Sequence, residues 1–315
     1  MFKIGGISLD VSHPIGFSKV LENEKIDMKY EYVCNKSFRG DEERDWFIKR
    51  FNLKGYVDEI ADMVDKVDIG FVQSCNWEKH LDQAMPFIEK GKPVFIDKPI
   101  IGSVKDAKRY KQLIDNGAKI IGSSSARHAQ EIRDFLAIPI SERGEVVNVF
   151  GTCGVDEFNY SIHIVEIFSE IAGCNAVECK YNGTAQREDG TKCENYTIRF
   201  ENGILATYAT VINGWRPFQV TIMTTKGTYI FEIDVDKIYG ALLREIYKYL
   251  SGKEHNLASC DTLINCSYIM MCGKKSRDEK KGAWVKLDEL TDEDKFDGYE
   301  FEETYAKNAS NIYKD

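Results

Sequence analysis

A lysine that directly follows a strand pattern is the first candidate for chemistry in this chain. Residues 92–99 read Lys-Pro-Val-Phe-Ile-Asp-Lys-Pro, so Asp97 and Lys98 come at the end of the apolar run 94–96. Open α/β sheets bind their ligands at the carboxyl ends of their strands. Pro99 holds Lys98 in extended backbone, which gives the ammonium a defined direction. We therefore expect Lys98 to contact a ligand, and the alternative is an ordinary Lys-Pro turn on the surface.

The elements that position Lys98 alternate between strand and helix patterns. This alternation implies right-handed crossovers and a parallel, doubly wound sheet. The sequence therefore predicts an α/β Rossmann-type domain over residues 1–122. Its strands are predicted at residues 2–7, 30–34, 67–72, 94–96 and 119–122, and its helices at 15–21, 41–51, 60–64, 77–89 and 104–114.

The second part of the chain, residues 123–315, is richer in strand patterns and predicts an α+β domain. The turns at 201–203 and 226–227 suit tight hairpins. The acidic run 288–303 predicts a solvated surface or a mobile segment. Strands are predicted at 145–151, 176–182, 196–200, 204–211, 219–224 and 228–234, and helices at 159–172, 236–250 and 260–274.

Three sequence segments together resemble the Gfo/Idh/MocA oxidoreductases. Asp97-Lys98-Pro99 resembles the Glu-Lys-Pro motif of this family, with Asp in place of Glu. Residues 76–80 resemble the family's Pro-Asn-x-x-His turn, and residues 84–91 resemble its approach to the lysine. The similarity covers nearly the whole chain and is strongest over 67–125. It implies a Rossmann domain followed by a large, mostly antiparallel sheet, which often forms a dimer or tetramer face.

The resemblance also implies an activity, the oxidation of a sugar or polyol hydroxyl with hydride transfer to a nicotinamide. Lys98 would then hydrogen-bond the reacting oxygen. His163 matches the histidine of the family's Asp-x-Gly-x-His-x-x-Asp helix, and an imidazole can act as acid or base near neutrality. The alternative is a helix-face histidine with a satisfied hydrogen bond.

The helix that carries His163 departs from the family pattern. Asn159 stands at the position of the first aspartate, and an amide cannot exchange protons as a carboxylate does. Glu166 replaces the last aspartate and lies one turn after His163, where it could orient the imidazole. Tyr160 offers a hydroxyl. We expect Lys98, His163 and Tyr160 to be catalytic, and substrate contacts from Lys98, Asn159, His163 and Glu166.

The loop after the first strand departs further from a dinucleotide fingerprint. Ser8 and Asp10 stand at two positions that are glycine in Gly-x-Gly-x-x-Gly. A carboxylate near a pyrophosphate costs affinity unless it points away or caps the helix. Ser12 and His13 could donate hydrogen bonds instead. We expect this loop to bind a nucleotide, and the alternative is a plain strand-to-helix connection.

The loop after the second strand leaves the choice between NAD and NADP open. Asn35 and Lys36 stand where NAD enzymes usually carry an acid for the ribose, and Arg39 follows. An amide and two cations suit a 2′-phosphate at least as well as free hydroxyls. His80 could instead pack locally at the start of a helix. The remaining residues that we expect at the cofactor are Ser74, Asn76, His80, Asp97, Lys98 and Arg127.

Composition limits the classes of partner and the location. The 315 residues carry a formal net charge of −9, which argues against nucleic acid or an anionic membrane as the main partner. Neither a signal peptide nor a membrane-spanning run is evident, so we expect a cytoplasmic protein. The nine cysteines form no Cys-x-x-Cys pair, so we expect no metal site.

Three functions remain open from the sequence, and none specifies the substrate. The first is an NAD(P)-dependent dehydrogenase of a sugar, polyol or related hydroxy compound. The second is a glycosidase or lyase in which the bound cofactor transiently oxidises the sugar, and the third is a non-catalytic NAD(P)- or sugar-binding sensor. We also expect a homodimer or homotetramer that buries an apolar face of the second-domain sheet. The residues that suggest this face are Tyr208, Val211, Trp215, Phe218 and Ile222.

Overall fold

Two β-sheets organise the chain. The computed structural model describes residues 1–314 and contains one sheet of six strands and one of seven. The first sheet ends at Gly122 and the second begins at Val146, so the expected domain division after residue 122 falls between them. Among residues 1–314, no helix combines the length and the apolar character that crossing a bilayer requires.

The first sheet is parallel throughout, with the strand order β3-β2-β1-β4-β5-β6. The order reverses at β1, which lies between β2 and β4, and ligands of doubly wound sheets bind at such a switch point. The strands are β1 (Phe2–Ile7), β2 (Met28–Cys34), β3 (Gly55–Tyr56), β4 (Ile69–Val72), β5 (Val94–Ile96) and β6 (Ile120–Gly122). The helices of this part are α1 (His13–Asn23), α2 (Asp41–Arg50), α3 (Ala61–Val64), α4 (His80–Glu89) and α5 (Val104–Asp115).

Burial explains why β4 and β5 read as continuous apolar runs. Every residue of both strands is buried, as expected where helices cover both faces of a parallel sheet. Gly70 in β4 allows α4 to pack closely, because a Cβ there would lie 2.7 Å from the Phe87 ring. The Lys98 strand is therefore held rigidly in the middle of the sheet.

The second sheet has the order β12-β11-β7-β10-β9-β8-β13. Among the pairs in the described chain, β7 and β10 run parallel and the others run antiparallel. The strands are β7 (Val146–Val155), β8 (Ala176–Gln186), β9 (Lys192–Phe200), β10 (Leu205–Ile212), β11 (Gln219–Thr224), β12 (Thr228–Glu232) and β13 (Val285–Lys286). The helices are α6 (Gln130–Ala137), α7 (Ile140–Arg143), α8 (Ser161–Ala172), α9 (Ile238–Leu250), α10 (Cys260–Asp278) and α11 (Gly298–Asn308).

Helix α8 lies against the inner face of the second sheet and is almost entirely buried. Gly151 of β7 allows this contact, because a Cβ there would lie 2.7 Å from Ile164. Gly173 ends the helix in a left-handed conformation, with φ of 66°. The sequence pattern predicted this helix within two residues, and the sheet fixes the face that carries His163.

The outer face of the second sheet differs from the expectation. Tyr208, Phe218 and Ile222 are buried inside the chain because their strand positions point towards the helices. Trp215 remains 58% exposed. The apolar side chains that the outer strands leave exposed are Val147, Phe150, Met223 and Ile230.

The acidic run near the carboxyl terminus exposes most of its carboxylates, but it also carries aromatic side chains that pack against the rest of the fold. Phe296 is buried and stacks on Phe158, with ring centroids 4.1 Å apart. Phe301 of α11 packs against Trp77, with centroids 5.0 Å apart. Aromatic residues interspersed with the acids give this segment an apolar side, which we did not weigh from the charge pattern.

Helix α9, which lies in the expected second domain, packs against the first domain. Leu242, Leu243 and Ile246 of α9 belong to the same buried cluster as the core of the parallel sheet. Gly16 of α1 leaves room for Tyr239, because a Cβ there would lie 2.8 Å from that ring. Helices α1 and α9 thus join the two parts beside the switch point.

Candidate functional site

A small cavity of about 50 Å³ lies at the carboxyl edge of the parallel sheet, next to the loop before α8. It brings together residues that follow β1, β4, β5 and β7 and one residue of α11, which are far apart in the sequence. Seven lining residues belong to the expected site, namely Ser12, His13, Ser74, Asp97, Lys98, Asn159 and Tyr160. Three others were not expected, namely Val11, Cys75 and Tyr305.

The Lys98 ammonium is held by the loop before α8. Its Nζ donates to the Asn159 carbonyl at 2.9 Å and to Asn159 Oδ1 at 3.1 Å. It also lies 5.0 Å from the centre of the Tyr160 ring. Burial lowers the pKa of Lys98, although the negative charges of Asp97 and Asp156 oppose this shift. The lysine is therefore directed into the cavity and is easier to deprotonate than an exposed lysine.

Asp97 pairs with the first residue of α1. Its Oδ2 lies 2.5 Å from His13 Nδ1, and its Oδ1 accepts from the Lys98 backbone N–H at 2.8 Å. Burial alone would raise the pKa of Asp97, but His13 and Lys98 outweigh it and keep the pKa below its ordinary value. Asp97 therefore stays ionised and ties the lysine strand to the nucleotide loop.

His163 lies beside Tyr160, with ring centroids 5.9 Å apart. Its Nδ1 is 2.5 Å from the Ser124 hydroxyl oxygen. Burial and the nearby Lys98 charge lower the pKa of His163 well below its ordinary value, so the imidazole is neutral at physiological pH. The unprotonated imidazole keeps Nε2 outside the Ser124 contact, but the same lowered pKa makes it a weak base, and His163 is buried beside the cavity without lining it.

Glu166 does not contact His163 directly, which corrects our expectation that it orients the imidazole. Its carboxylate accepts from the Ser124 backbone N–H at 2.9 Å and from the Ser123 hydroxyl at 3.2 Å. Burial raises the pKa of Glu166, and the Arg127 guanidinium opposes the rise. Glu166 therefore acts on His163 through Ser124, which the sequence offered only as part of a polar segment.

Asp156 is a site residue that the sequence analysis did not single out. Its Oδ1 accepts from the backbone N–H groups of Phe158 at 2.9 Å and Tyr160 at 3.1 Å, which shapes the loop that holds Lys98. Its Oδ2 is buried and has no hydrogen-bond partner in the part of the chain that the structure describes. Burial raises the pKa of Asp156, and Lys98 opposes the rise. A carboxylate three residues before Asn159 was the available signal.

The nucleotide loop keeps one feature of a glycine loop without the glycine. Ser8 has φ of 67°, the left-handed conformation that glycine adopts most easily. Asp10 Oδ2 accepts from the Cys75 backbone N–H at 2.7 Å, so the carboxylate turns towards the end of β4. Ser12 caps α1 without a side-chain hydrogen bond. Pro14 has no N–H and Gly16 N–H bonds the Ser12 carbonyl, so the donors that α1 could offer an anion are the N–H groups of His13 and Ile15.

The loop after β2 is organised around Arg39 and not around an acid. Asn35 Nδ2 donates to the Arg39 carbonyl at 2.9 Å, and Arg39 Nε donates to the Asp10 carbonyl at 3.0 Å. Lys36 instead pairs with Glu59 at 3.0 Å, on the side of the loop that faces β3. The two loops at the switch point are thus linked by a buried guanidinium.

Two expected cofactor residues have structural contacts instead. His80 is fully buried, and its Nε2 and Nδ1 lie 2.9 Å from the Ser74 carbonyl and 3.2 Å from the Ile100 carbonyl. Asn76 Nδ2 donates to Glu302 of α11 at 3.0 Å. Both side chains fix the loops around the cavity and do not line it.

Arg127 is also turned away from the cavity. Its Nη1 donates to the Glu166 carbonyl at 3.2 Å, and its Nη2 pairs with Glu170 of α8. We therefore remove Arg127 from the residues expected at the cofactor. The polar segment that follows β6 supports α8 through these contacts.

Comparison with known proteins identifies the family of the first domain. No curated protein sequence shows significant similarity to this chain. The GFO_IDH_MocA model, which describes an oxidoreductase family with an NAD-binding Rossmann fold, matches residues 29–125. Over these residues the Rossmann-type domain is similar to the Gfo/Idh/MocA oxidoreductases. The matched residues include Asp97-Lys98-Pro99, so the resemblance is confirmed.

Solved structures share the fold of this chain over nearly its whole length. A probable dehydrogenase from Thermotoga maritima has a TM-score of 0.77 at 15% identity, covering 92% of this chain and 100% of that chain. Scyllo-inositol dehydrogenase from Lactobacillus casei, solved with NAD(H) and scyllo-inositol, gives 0.76 at 15%, covering 91% and 99%. Myo-inositol dehydrogenase from the same organism, solved with NAD(H) and myo-inositol, gives 0.76 at 13%, covering 91% and 96%. These comparisons confirm the expected fold class.

A dinucleotide fits one end of the cleft at the switch point and is obstructed at the other. Lys98 and the amino terminus of α1 offer a cation and free N–H groups at the switch point. Tyr305 of α11 closes the cavity, and Tyr313 lies on the nucleotide loop. Binding sites of small molecules and cofactors commonly measure about 300–1,000 Å³, so a cavity of about 50 Å³ must open to admit a dinucleotide.

Three side chains beside the cavity could in principle hold a metal ion. One ligand atom each from Asp10, Cys75 and Glu302 lies within 4.8 Å of the others. Glu302 already pairs with Lys79 at 2.7 Å, and Asp10 accepts from the Cys75 backbone. These contacts explain the arrangement as the attachment of α11 to the first domain.

Proposed function

We propose that this chain is an NAD(P)-dependent dehydrogenase that oxidises a hydroxyl group of a small polar compound such as a cyclic polyol or a sugar. The observation that carries the proposal is the Lys98 ammonium, held 2.9 Å from the Asn159 carbonyl at the switch point of a Rossmann sheet. The oxidoreductase family of the first domain and the inositol dehydrogenases of similar fold support it.

Lys98 would bind the oxygen of the reacting hydroxyl. Its three N–H bonds exceed the two acceptors that Asn159 offers, so one donor is left for a substrate. A positive charge at this oxygen stabilises the alkoxide character that develops as the carbinol carbon loses its hydride. A bound nicotinamide would supply the acceptor for that hydride.

His163 would take up the hydroxyl proton. The low pKa of His163 keeps it neutral, and Nε2 is the acceptor when Nδ1 donates to Ser124. Tyr160 lies between Lys98 and His163, since its ring contacts both. Its hydroxyl is a second group through which the proton could pass, and burial raises its pKa.

Asp156 would supply the carboxylate that Asn159 lacks. The buried Asp156 charge favours protonated Lys98, and its hydrogen bonds hold the loop that presents Asn159. We assign Asp156 a positioning role, because the chain gives it no route to the reacting atoms. The substrate pocket would thus keep a negative charge near the lysine without an aspartate at position 159.

We also propose that the chain forms a homodimer or homotetramer through the outer face of the second sheet. Phe150 of β7, Met223 of β11 and Ile230 of β12 lie on that face and are 43%, 43% and 75% exposed. Phe150 and Ile230 flank the same residue of β11, Thr221, so they lie in one row across the sheet. Exposed apolar side chains that lie this close together on one sheet face are typical of a subunit interface.

One alternative has specific support, namely a protein that binds NAD(P) or a sugar without turnover. Asn159 cannot exchange a proton as an aspartate does. Tyr305 and Tyr313 also cover the cleft. A protein that exchanges its cofactor rapidly does not need such a cover. This reading predicts binding without any net reduction of the nicotinamide.

The decisive assay measures reduced nicotinamide by absorbance. Purified protein is incubated with NAD or NADP and a panel of inositols, linear polyols and sugars, and Lys98→Met serves as the inactive control. Reduction by at least one compound, absent in Lys98→Met, supports the dehydrogenase. Cofactor binding in calorimetry without reduction by any compound would support the binding protein instead.

A further inference from the structure

The segment after α11, residues 309–313, lies across the two loops that a Rossmann fold uses to hold a dinucleotide. The Tyr313 hydroxyl donates to the Val11 carbonyl at 3.1 Å, in the loop between β1 and α1. Arg39 Nη1 donates to the Ser310 carbonyl at 3.3 Å, in the loop between β2 and α2. In this fold the first loop holds the pyrophosphate and the second holds the adenosine ribose.

One buried side chain anchors this segment. Tyr313 is 3% exposed and belongs to the apolar cluster of the parallel sheet. Its ring lies 5.9 Å from the Trp46 ring, 6.1 Å from the Phe47 ring and 5.2 Å from the Arg39 guanidinium. The Tyr313 ring therefore lies beside the Arg39 guanidinium at the end of β2, in the kind of position where the adenine of a dinucleotide would bind.

The rest of the segment is attached weakly. Ser310 and Asn311 are exposed, and Ile312 is only partly buried. The hydrogen bonds that tie the segment to the two loops use backbone carbonyl groups of Val11 and Ser310. Ile312 packs against the apolar cluster that also contains Tyr313. A segment held mainly by these two side chains can leave its place without unfolding the sheet below.

We propose that residues 309–313 are an intramolecular competitor of the dinucleotide, occupying the adenosine end of the cleft until the cofactor displaces them. This inference rests on the proposed function, because it requires that the chain binds NAD or NADP. Displacement would free Arg39 from Ser310 and from the Tyr313 ring, so that its guanidinium can contact the ribose or a 2′-phosphate. The same movement would uncover the nucleotide loop at Val11.

The test compares dissociation constants for NAD and NADP by calorimetry. We would use the full chain, a variant that ends at Asn308, and Tyr313→Ala in the full chain. Tyr299→Ala is the matched control, because Tyr299 is 56% exposed on α11 and its ring lies beside Lys79, 5.6 Å from Nζ. Thermal unfolding checks that each variant is folded, and Tyr313→Ala remains informative where the shortened chain is unstable.

Release of the competitor should lower the apparent dissociation constant by roughly 10- to 100-fold in the shortened chain and in Tyr313→Ala, the range that burial of one large apolar side chain provides. Tyr299→Ala should bind as the full chain does. Hydrogen exchange of the amides of 310–313 should rise when dinucleotide is added, while exchange in the loop 8–12 falls.

The outcomes separate failure of this inference from failure of the proposed function. Equal affinity in all four proteins, or weaker binding by Tyr313→Ala, would overturn the competitor and leave dinucleotide binding intact. Absence of binding by every variant, including the shortened chain, would overturn the proposed function and the competitor together.

Discussion

The charge at position 159 should set the proton affinity of Lys98. The perturbation is Asn159→Asp, which places a carboxylate where the amide oxygen now lies 3.1 Å from Lys98 Nζ. At this separation and an effective dielectric constant of about 20, the attraction is roughly 5 kcal/mol before desolvation is subtracted. A carboxylate beside a cation typically shifts pKa values by about 1–3 units, so we expect the pKa of Lys98 to rise by that amount.

The opposite change should have the opposite sign. Asp156→Asn keeps an oxygen that can accept from the Phe158 and Tyr160 backbone N–H groups, but it removes the negative charge that favours protonated Lys98. We therefore expect the pKa of Lys98 to fall in this variant. Asn52→Asp adds the same charge as Asn159→Asp at an exposed turn and should leave Lys98 unchanged.

The assay is competitive acylation of lysines over a pH series, read by mass spectrometry of the peptide that contains Lys98. Only the unprotonated amine reacts, so the pH of half-maximal labelling reports the pKa of Lys98. The labelling curve should move to higher pH in Asn159→Asp and to lower pH in Asp156→Asn. Coincident curves for Asn159→Asp and the unaltered chain would refute the electrostatic coupling, and no substrate needs to be known for this test.

Three further predictions concern activity, stability and assembly. Lys98→Met should lower turnover by about 10²–10⁴-fold and leave the dissociation constant of the dinucleotide unchanged in calorimetry. Burial lowers the pKa of His80 and His163 from 6.5 and lowers that of His128 to about 3, so below pH 6.5 the unfolded chain binds protons that the native chain does not. Each of the three histidines should reduce the free energy of unfolding by about 1.4 kcal/mol for every unit by which the pH falls below 6.5. Denaturant titrations at several pH values should show that this free energy depends less on pH in His128→Gln than in the unaltered chain. Ile230→Lys should dissociate the oligomer, so that light scattering gives the monomer mass of 36.0 kDa for this variant. A mass of 36.0 kDa for the unaltered chain would reject the interface.

Local sequence patterns were sufficient for the alternation of elements and for the position of Lys98. Apolar runs such as 94–96 and helix stops such as Gly91 are read from neighbouring residues, because strand and helix periodicity depends on positions two to four residues apart. The family motif at Asp97 then placed the lysine at a strand end, and the structure agrees. Helix α8 was found for the same reason.

The orientation of polar side chains was decided by contacts distant in sequence. Asp10 turns towards Cys75, 65 residues away, and Asn76 binds Glu302, 226 residues away. His80 and Arg127 looked like ligand residues because of their places in the chain, yet backbone carbonyls satisfy the first and α8 holds the second. Pairings of this kind join residues that are distant in sequence, so the local periodicity of strands and helices does not reveal them.

The sequence by itself determined a doubly wound sheet with Lys98 at a strand end, because hydrophobic periodicity and a short motif specify those features locally. The tertiary structure alone decided that Asp156 stands near the lysine in place of an acid at 159, and that Tyr313 covers the nucleotide loop. The physical reason is that both arrangements join residues that lie far apart in the sequence, so local sequence patterns do not specify them. Charge composition indicated the solvated acids of 288–303 but not the aromatic side chains of the same segment, because their partners Trp77 and Phe158 lie far away in the sequence.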